Sequence, residues 1–159
     1  HIRNLPITQY FKIAVDDAKP FYNIYGGTQD NGSHMGPSQT QSSVGITSGD
    51  WIKTLGADGA QTATEPGNPN ISYGEFQQGV LWRIDKSTRE SVFIQPQALE
   101  GDPYERFNWD APILVSSHNP KRLYFASQRV WKSENRGDDW VPISEDLTLN
   151  QDRISFPMY

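Results

Sequence analysis

The side chains that could do chemistry in this sequence recur at a regular spacing. Three glutamines, Gln29, Gln77 and Gln128, each follow a tyrosine by four residues. A glutamine amide both donates and accepts hydrogen bonds, so it suits sugar hydroxyls and peptide groups. Asp58 and Asp110 also recur, 11 and 10 residues ahead of a proline. Glycoside hydrolysis requires two carboxylates, one as general acid and one as base or nucleophile.

The elements that must position these side chains form a repeat. Tyr25, Tyr73 and Tyr124 are the tyrosines of the three motifs, and they are 48 and 51 residues apart. A proline lies four or five residues ahead of each one. A period near fifty residues indicates one supersecondary unit that is repeated.

Each unit is predicted to contain four short strands. The predicted strands are 10–15, 22–25, 34–41 and 50–55; 59–64, 71–75, 79–84 and 91–94; and 111–117, 122–127, 129–133 and 140–143. Four-stranded antiparallel units at this period are typical of a β-propeller. We therefore expect an all-β segment with blades at 1–56, 57–107 and 108–148, and with 149–159 beginning a further blade or forming a tail. The alternative is a single β-sandwich in which the repeat is accidental.

Composition narrows the class of protein. Aromatic residues make up 12% of the chain and apolar residues as a whole 35%, so tryptophan and tyrosine must form much of the core. We expect Trp82 and Trp131 to be buried there. A net charge of −5 without a basic patch argues against nucleic acid as a partner. No apolar run is long enough to cross a bilayer.

The sequence does not predict a metal site or a cofactor. It contains no cysteine, which excludes disulfides and thiolate metal sites. The acidic pairs at 16–17 and 138–139 lack the alternating oxygen ligands of a calcium loop.

Residues 133–140 match the Asp-box pattern S/T-x-D-x-G-x-x-W through Ser133, Asn135, Gly137 and Trp140, with Asn135 at the usual Asp position. The glycine permits a left-handed backbone, and the Asn or Asp side chain caps turn amides. The tryptophan packs between sheets. This pattern closes the turn between the third and fourth strands of a propeller blade.

The chain resembles the bacterial sortilin-like (VPS10-type) Asp-box propellers, often labelled BNR-repeat glycosyl hydrolases. The resemblance rests on 22–33, 55–59, 106–110, 123–126, the Asp-box and 143–148. It implies an extracytoplasmic protein with many more blades. The second unit departs from the pattern, because its turn at 85–90 lacks the Gly and the Trp, and the first keeps only a faint remnant at 48–51.

Three blades do not close a ring, since propellers have four to eight. We therefore expect a segment whose partners are the remaining blades of the same polypeptide or a larger assembly.

Strand direction predicts where the polar residues meet. In a meander, the start of the first strand and the end of the second emerge at the same end of the sheet. The predicted face at the channel mouth consists of Gln29, Asp30, Asn31, Asp58, Gln77, Asn108, Trp109, Asp110 and Gln128. A tryptophan beside amides and carboxylates suits a sugar ring. The Asp-box is expected at the opposite end.

Each of these residues also has a purely structural interpretation. The glutamines can hydrogen-bond neighbouring backbone amides as a structural repeat, and Asp58 and Asp110 can cap the loops ahead of the first strands. The Asn31-Gly32 pair is a hairpin signal, so Asp30 and Asn31 can serve only to shape a turn.

Two functions remain open from the sequence. The first is recognition of a peptide, protein or glycan through the predicted face, for which repeated amides are suited. The second is glycoside hydrolysis with Asp58 and Asp110 as the catalytic carboxylates. A sialidase-type site is disfavoured, because none of the predicted channel positions is an arginine. Binding is favoured over catalysis.

Overall fold

The protein, described as a computed structural model over residues 7–157, is all-β, and its regular structure consists mainly of short strands. The strands are β1 (Ile13–Val15), β2 (Asn23–Thr28), β3 (Gly32–Pro37), β4 (Ile52–Leu55), β5 (Gly59–Glu65), β6 (Asn68–Phe76), β7 (Val80–Asp85), β8 (Glu90–Phe93), β9 (Ile113–Val115), β10 (Leu123–Ala126), β11 (Val130–Ser133) and β12 (Val141–Pro142). Two short 3₁₀ helices lie at Ser48–Asp50 and Arg153–Ser155.

The strands form three separate four-stranded antiparallel sheets, which confirms the prediction of four-stranded units. Sheet 1 has the order β1-β2-β3-β4, sheet 2 the order β5-β6-β7-β8, and sheet 3 the order β9-β10-β11-β12. Every neighbour in a sheet is also a neighbour in sequence, so each sheet is a meander. Each of the three predicted intervals contains one sheet.

The boundaries of individual strands differ from the prediction where turns are tighter than expected. Strand β6 begins at Asn68, three residues before the predicted strand at 71–75. The hairpin has only Pro66 and Gly67 between its strands, and Gly67 has a φ of +76°. Glycine reaches this region without a steric penalty, so the turn needs no further residues.

The three sheets share one register at the repeated tyrosines. The cross-strand pairs are Tyr25 with Ala14, Tyr73 with Ala63, and Tyr124 with Leu114. The residue after the tyrosine pairs with the repeated tryptophan, Gly74 with Trp82 and Phe125 with Trp131. The repeat therefore extends to individual cross-strand pairs.

The two equivalent tryptophans differ in burial. Trp131 is fully buried, as expected for a core residue. Trp82 is only half-buried and packs edge-on against Phe93, with ring centroids 5.7 Å apart. The expectation of a core position is thus right for Trp131 and only partly right for Trp82.

An apolar cluster joins sheets 2 and 3. Its buried members are Ile71, Tyr73, Leu81, Ile94, Ala111, Leu123 and Phe125. Phe125 packs against Phe107 and Trp140, with centroids 5.4 and 6.3 Å away. Each fully buried side chain of this kind stabilises the fold by about 1.5–3 kcal/mol, so this cluster holds the two sheets face to face.

Sheets 1 and 2 approach so closely that one position must be glycine. A Cβ atom on Gly27 would lie 2.4 Å from the backbone carbon of Gly59 and 2.6 Å from the backbone nitrogen of Ala60. No side chain fits there unless the backbones separate. Gly27 therefore sets the spacing between β2 and β5.

A buried carboxylate, a tyrosine and a cation connect sheet 1 to sheet 2. The Asp16 carboxylate, fully buried just after β1, accepts hydrogen bonds from the Tyr25 hydroxyl at 2.9 Å and from Lys86 Nζ at 3.0 Å. Burial by itself raises the pKa of Asp16, but hydrogen bonds from Asn23, Lys86 and Ala18 outweigh it and bring the pKa to about 2. Lys86 lies in the β7–β8 turn of sheet 2, so the ion pair crosses between sheets.

The same arrangement connects sheet 2 to sheet 3 with different residues. Both Glu65 oxygens accept hydrogen bonds from the Arg136 guanidinium at 2.7 Å, and the Tyr73 hydroxyl donates to Glu65 at 3.4 Å. Arg136 lies in the β11–β12 turn, as Lys86 lies in the β7–β8 turn. We call each of these groups an acid–tyrosine–base cluster.

The first strands of the sheets converge. Lys12, just before β1, forms an ion pair with Asp110, just before β9, with Nζ 3.3 Å from Oδ2. This contact joins sheet 1 to sheet 3 past sheet 2. The sheets therefore fan out from a shared edge formed by β1, β5 and β9.

Candidate functional site

The predicted site residues lie in the turns and strand entries at one end of the sheets. Gln29, Asp30 and Asn31 connect β2 to β3, and Gln77 and Gln128 lie in the β6–β7 and β10–β11 turns. Asp58 directly precedes β5, and 108–110 lies shortly before β9. In each meander these positions lie at the end of the sheet where the first strand begins and the second strand ends.

Asp58 is the centre of a polar group shared by sheets 1 and 2. Its Oδ1 accepts a hydrogen bond from the backbone N–H of Asp30 at 2.6 Å. Its backbone N–H donates to Gln77 Oε1 at 3.2 Å, and Gln77 Nε2 donates to Asp58 Oδ2 at 3.5 Å. The structure thus brings Asp30, Asp58 and Gln77 together. Both carboxylate oxygens of Asp58 are engaged.

Two of the three repeated glutamines form hydrogen bonds with backbone N–H groups. Gln128 is buried, and its Oε1 accepts from the backbone N–H of Arg106 at 2.8 Å. Gln77 accepts in the same way from Asp58, and both donors belong to the segment entering the first strand of the same sheet. Gln29 is exposed, and among residues 7–157 its side chain has no hydrogen-bond partner. Gln29 is therefore the glutamine of the three that is available to a ligand.

Asn31 and the segment at 108–110 supply the remaining predicted residues. Asn31 Nδ2 donates to the backbone oxygen of Gln29 at 3.3 Å, and Asn108 Oδ1 accepts from the backbone N–H of Trp109 at 2.7 Å. Both contacts shape their own loops. Trp109 is 51% exposed, so its ring is accessible for stacking.

Asp110 has one engaged and one unengaged oxygen. Oδ2 pairs with Lys12, and Oδ1 is buried without a hydrogen-bond partner among the described residues. A buried acceptor without a donor is costly, so this atom marks a place where a water or a ligand group can bind.

A fully buried carboxylate beside Asp110 was not predicted from the sequence. Glu75 accepts backbone hydrogen bonds from Ala111 at 3.1 Å and Gln61 at 3.3 Å. Burial raises the pKa of Glu75, and the backbone donors oppose this while Asp110 adds to it, with a result of about 7. Glu75 accepts hydrogen bonds both from β5 and from the segment that precedes β9, so it connects sheets 2 and 3.

The signal for Glu75 was present in the motif itself. Glu75 lies two residues after Tyr73, where the other repeats have Gly27 and Ala126. A charged residue at a position that is otherwise small indicates a buried and partnered carboxylate. Its side chain is completely inaccessible, so it does not contact a ligand in this arrangement.

A cleft lies beside Gln29 at the same end of sheet 1. It has a volume of about 400 Å³, and its lining includes Gln9, Phe11, Thr28, Gln29 and Asn31. Amide and hydroxyl groups next to an aromatic ring are a lining that suits sugars and peptides.

The Asp-box lies at the other end of sheet 3 and is fully engaged within its turn. Ser133 Oγ accepts from the backbone N–H groups of Asn135 at 3.2 Å and Gly137 at 2.8 Å. Asn135 Oδ1 accepts from the backbone N–H of Asp139 at 3.0 Å, and Gly137 has a φ of +90°. The Trp140 indole donates to the backbone oxygen of Ile94 at 2.7 Å, which attaches the turn to sheet 2.

Two further findings concern metal binding and membrane-spanning helices. Within residues 7–157, no group of three or more His, Cys, Asp or Glu side chains is placed to hold a metal ion. The part of the chain that the structure describes also has no helix long and apolar enough to span a bilayer.

Comparison with protein-family models and with curated proteins returned no match for this chain.

Proposed function

We propose that this chain is a segment of an extracytoplasmic β-propeller of the sortilin-like, Asp-box kind, and that it recognises a peptide, protein or glycan ligand. The three successive meanders and the convergence of β1, β5 and β9 support the propeller arrangement. The resemblance of the sequence supports the family and the location. The partners are further blades or a larger assembly, and the ligand.

The observation that carries the binding proposal is the exposed polar surface beside the cleft of sheet 1. Gln29 has a free amide, the cleft of about 400 Å³ lies against it, and Asp58 fixes the backbone of Asp30 beside it. These groups bind through hydrogen bonds and need no acid–base chemistry. The half-exposed ring of Trp109 adds a stacking surface.

The test is a screen of glycan and peptide arrays with the wild-type chain and three variants. Gln29→Ala, Asp30→Asn and Trp109→Ala remove an amide, a charge and a ring, and asparagine tolerates the left-handed backbone of Asp30. Gln97→Ala, an exposed glutamine of another loop, is the matched control. We expect a ligand whose signal falls in the three variants and not in the control. A ligand set that is insensitive to all three would exclude this face.

Glycoside hydrolysis is the second candidate, and the unengaged oxygen of Asp110 favours it. The proposed carboxylates are Asp58 and Asp110, and Oδ1 of Asp110 is the oxygen without a hydrogen-bond partner among the described residues. Against this candidate, both oxygens of Asp58 are occupied. An Asp58→Asn or Asp110→Asn variant that hydrolyses a glycan at the wild-type rate would remove the assignment.

A further inference from the structure

A second cleft lies between the β6–β7 turn of sheet 2 and the connection from β8 to β9. It has a volume of about 440 Å³, within the range of about 300–1,000 Å³ that is usual for ligand pockets. The cleft beside sheet 1 shares none of its lining residues. The lining includes Gln78, Gln95, Pro96, Gln97, Tyr104 and Phe107.

The walls of this cleft are fixed by buried contacts. Phe107 packs over Gly79, where an added Cβ atom would lie 2.4 Å from the ring. The Glu105 side chain is only 3% exposed, pairs with Arg129 at 2.9 Å and accepts from the Trp131 indole at 3.2 Å. Since Trp131 belongs to β11, these contacts attach the wall to sheet 3. The cleft is therefore preformed, and a ligand does not have to order its loops.

Three glutamines form a connected row along the cleft. Gln97 Nε2 donates to the backbone oxygen of Gln95 at 3.0 Å, and Gln95 Nε2 donates to the backbone oxygen of Gln78 at 3.1 Å. Within residues 7–157, the Oε1 atoms of Gln95 and Gln97 have no donor. Immobilising a glutamine side chain costs conformational entropy, and here the folded chain already bears part of that cost. The two oxygens are thus preorganised acceptors for hydrogen-bond donors of a ligand.

Tyr104 adds an aromatic surface that the fold does not use for packing. Its side chain is 93% exposed, more than any other large apolar or aromatic side chain that the structure describes. A flat ring next to amide groups suits a pyranose, because the ring stacks on the apolar face of the sugar while the amides bind its hydroxyls.

The charged side chains at the border of the cleft are already paired. Arg106 donates to Asp146 at 2.7 Å, and Glu105 is held by Arg129. The other lining residues are uncharged. An acidic sugar or a charged peptide side chain would therefore meet no unpaired opposite charge here, whereas a neutral sugar needs none.

We propose that this cleft is a separate binding site, and that its ligand is an uncharged sugar unit of a glycan. The ring of Tyr104 stacks on the sugar, and the Oε1 atoms of Gln95 and Gln97 accept hydrogen bonds from its hydroxyls. All lining residues lie between Gln78 and Phe107, so the site is complete within one stretch of this chain. It depends neither on the cleft beside sheet 1 nor on the number of further blades.

The test is titration calorimetry of the chain with neutral hexasaccharides of glucose, mannose, galactose, xylose and N-acetylglucosamine, with a hexamer of galacturonic acid as the acidic comparison. We expect at least one neutral hexasaccharide to bind more tightly than the acidic one. Tyr104→Ala is expected to weaken this binding about tenfold, and Gln97→Ala about three- to tenfold. Tyr104→Phe keeps the ring and is expected to stay within about threefold of the wild type.

Controls separate this site from the fold and from the first cleft. Tyr104→Ala is expected to keep the wild-type melting temperature, because the ring is almost wholly exposed. Tyr22→Ala removes a half-exposed tyrosine just before β2, at the other end of sheet 1, and is expected to leave sugar binding unchanged. Gln29→Ala is also expected to leave it unchanged. On the arrays, a glycan whose signal falls in Gln97→Ala and not in Gln29→Ala belongs to this cleft.

Three results would overturn the proposal. The first is that no neutral hexasaccharide binds at millimolar concentration. The second is sugar binding that is lost in Gln29→Ala and kept in Tyr104→Ala, which places the sugar beside sheet 1. The third is that only peptides lose array signal in Tyr104→Ala, which makes the ligand a peptide. Sugar binding that requires Tyr104, without any ligand sensitive to Gln29, would leave this site standing while the proposal for sheet 1 fails.

Discussion

The cluster of Glu65, Tyr73 and Arg136 allows a direct test of what stabilises the contact between sheets 2 and 3. We expect Arg136→Met to destabilise the protein strongly, because it leaves the Glu65 carboxylate buried without a cation. The Glu65 side chain is 3% exposed, and both of its oxygens lie 2.7 Å from the guanidinium. Removing one partner of a buried pair costs about 3–5 kcal/mol. Since the Arg136 side chain is partly exposed, we expect about 3 kcal/mol.

Urea denaturation followed by circular dichroism and tryptophan fluorescence measures this loss. Coincident transitions from the two probes establish that one free energy of unfolding describes the protein. With an m-value of about 1–3 kcal/mol per molar urea, the midpoint falls by about 1–3 M. The matched control is Arg106→Met, whose guanidinium pairs with the partly exposed Asp146 at 2.7 Å. Pairs exposed in this way contribute about 0–1 kcal/mol.

A double variant separates the charge from the packing. Glu65→Gln combined with Arg136→Met removes both members of the pair, so no buried charge remains. We expect this double variant to lose less free energy of unfolding than Arg136→Met alone. If Arg136→Met costs less than about 1 kcal/mol, or if the two substitutions are simply additive, the buried charge is not what this cluster contributes.

Three further predictions concern pH and packing. The pKa of the Asp16 carboxylate is lowered to about 2, so its contribution to stability is complete above its unfolded pKa and is lost as the pH falls towards 2. In denaturation experiments from pH 6 to pH 2, Asp16→Asn should therefore lose less free energy of unfolding with falling pH than the wild type does. The pKa of Glu75 is raised to about 7, so stability should fall as pH rises from about 4.5 through 7, by up to roughly 3 kcal/mol. Glu75→Gln should abolish this slope, and an unchanged slope would show that another group titrates. Gly27→Ala should lower the melting temperature because its Cβ meets the backbone of sheet 2. Gly49→Ala should not, because its Cβ would lie 3.6 Å from the Thr47 hydroxyl, an ordinary contact distance.

The four-stranded units were predictable from sequence because local signals determine them. Each meander is built from neighbouring strands and short turns, and the repeated Tyr-x-x-x-Gln motif fixes the register of its second strand. Strand direction alone then places Gln29, Gln77 and Gln128 at one end. The side-chain oxygens of Gln77 and Gln128 accept hydrogen bonds from backbone N–H groups in the segments that lead into the first strands, so these two glutamines stabilise those segments.

The acid–tyrosine–base clusters were missed because their partners are distant in sequence. The acid and the tyrosine of each cluster are close in sequence, since Asp16 and Glu65 lie nine and eight residues before their tyrosines. The cations, Lys86 and Arg136, lie 70 and 71 residues after the acids, in the following sheet. Sequence spacing within one unit cannot show a contact between units. The burial that makes these carboxylates important exists only after the sheets have stacked.

The two clusters use the same three roles with different residues, and this has a consequence for how the chain folds. The shorter acid pairs with lysine between sheets 1 and 2, whereas the longer acid pairs with arginine in a bidentate fork between sheets 2 and 3. Repeated units of similar sequence are prone to associate in the wrong order during folding. If a sheet stacked on the wrong neighbour, a buried carboxylate would face a cationic side chain whose length and geometry do not suit it, and the ion pair would form poorly. The order of the sheets along the stack is therefore specified by charge and side-chain length, as well as by the connectivity of the chain.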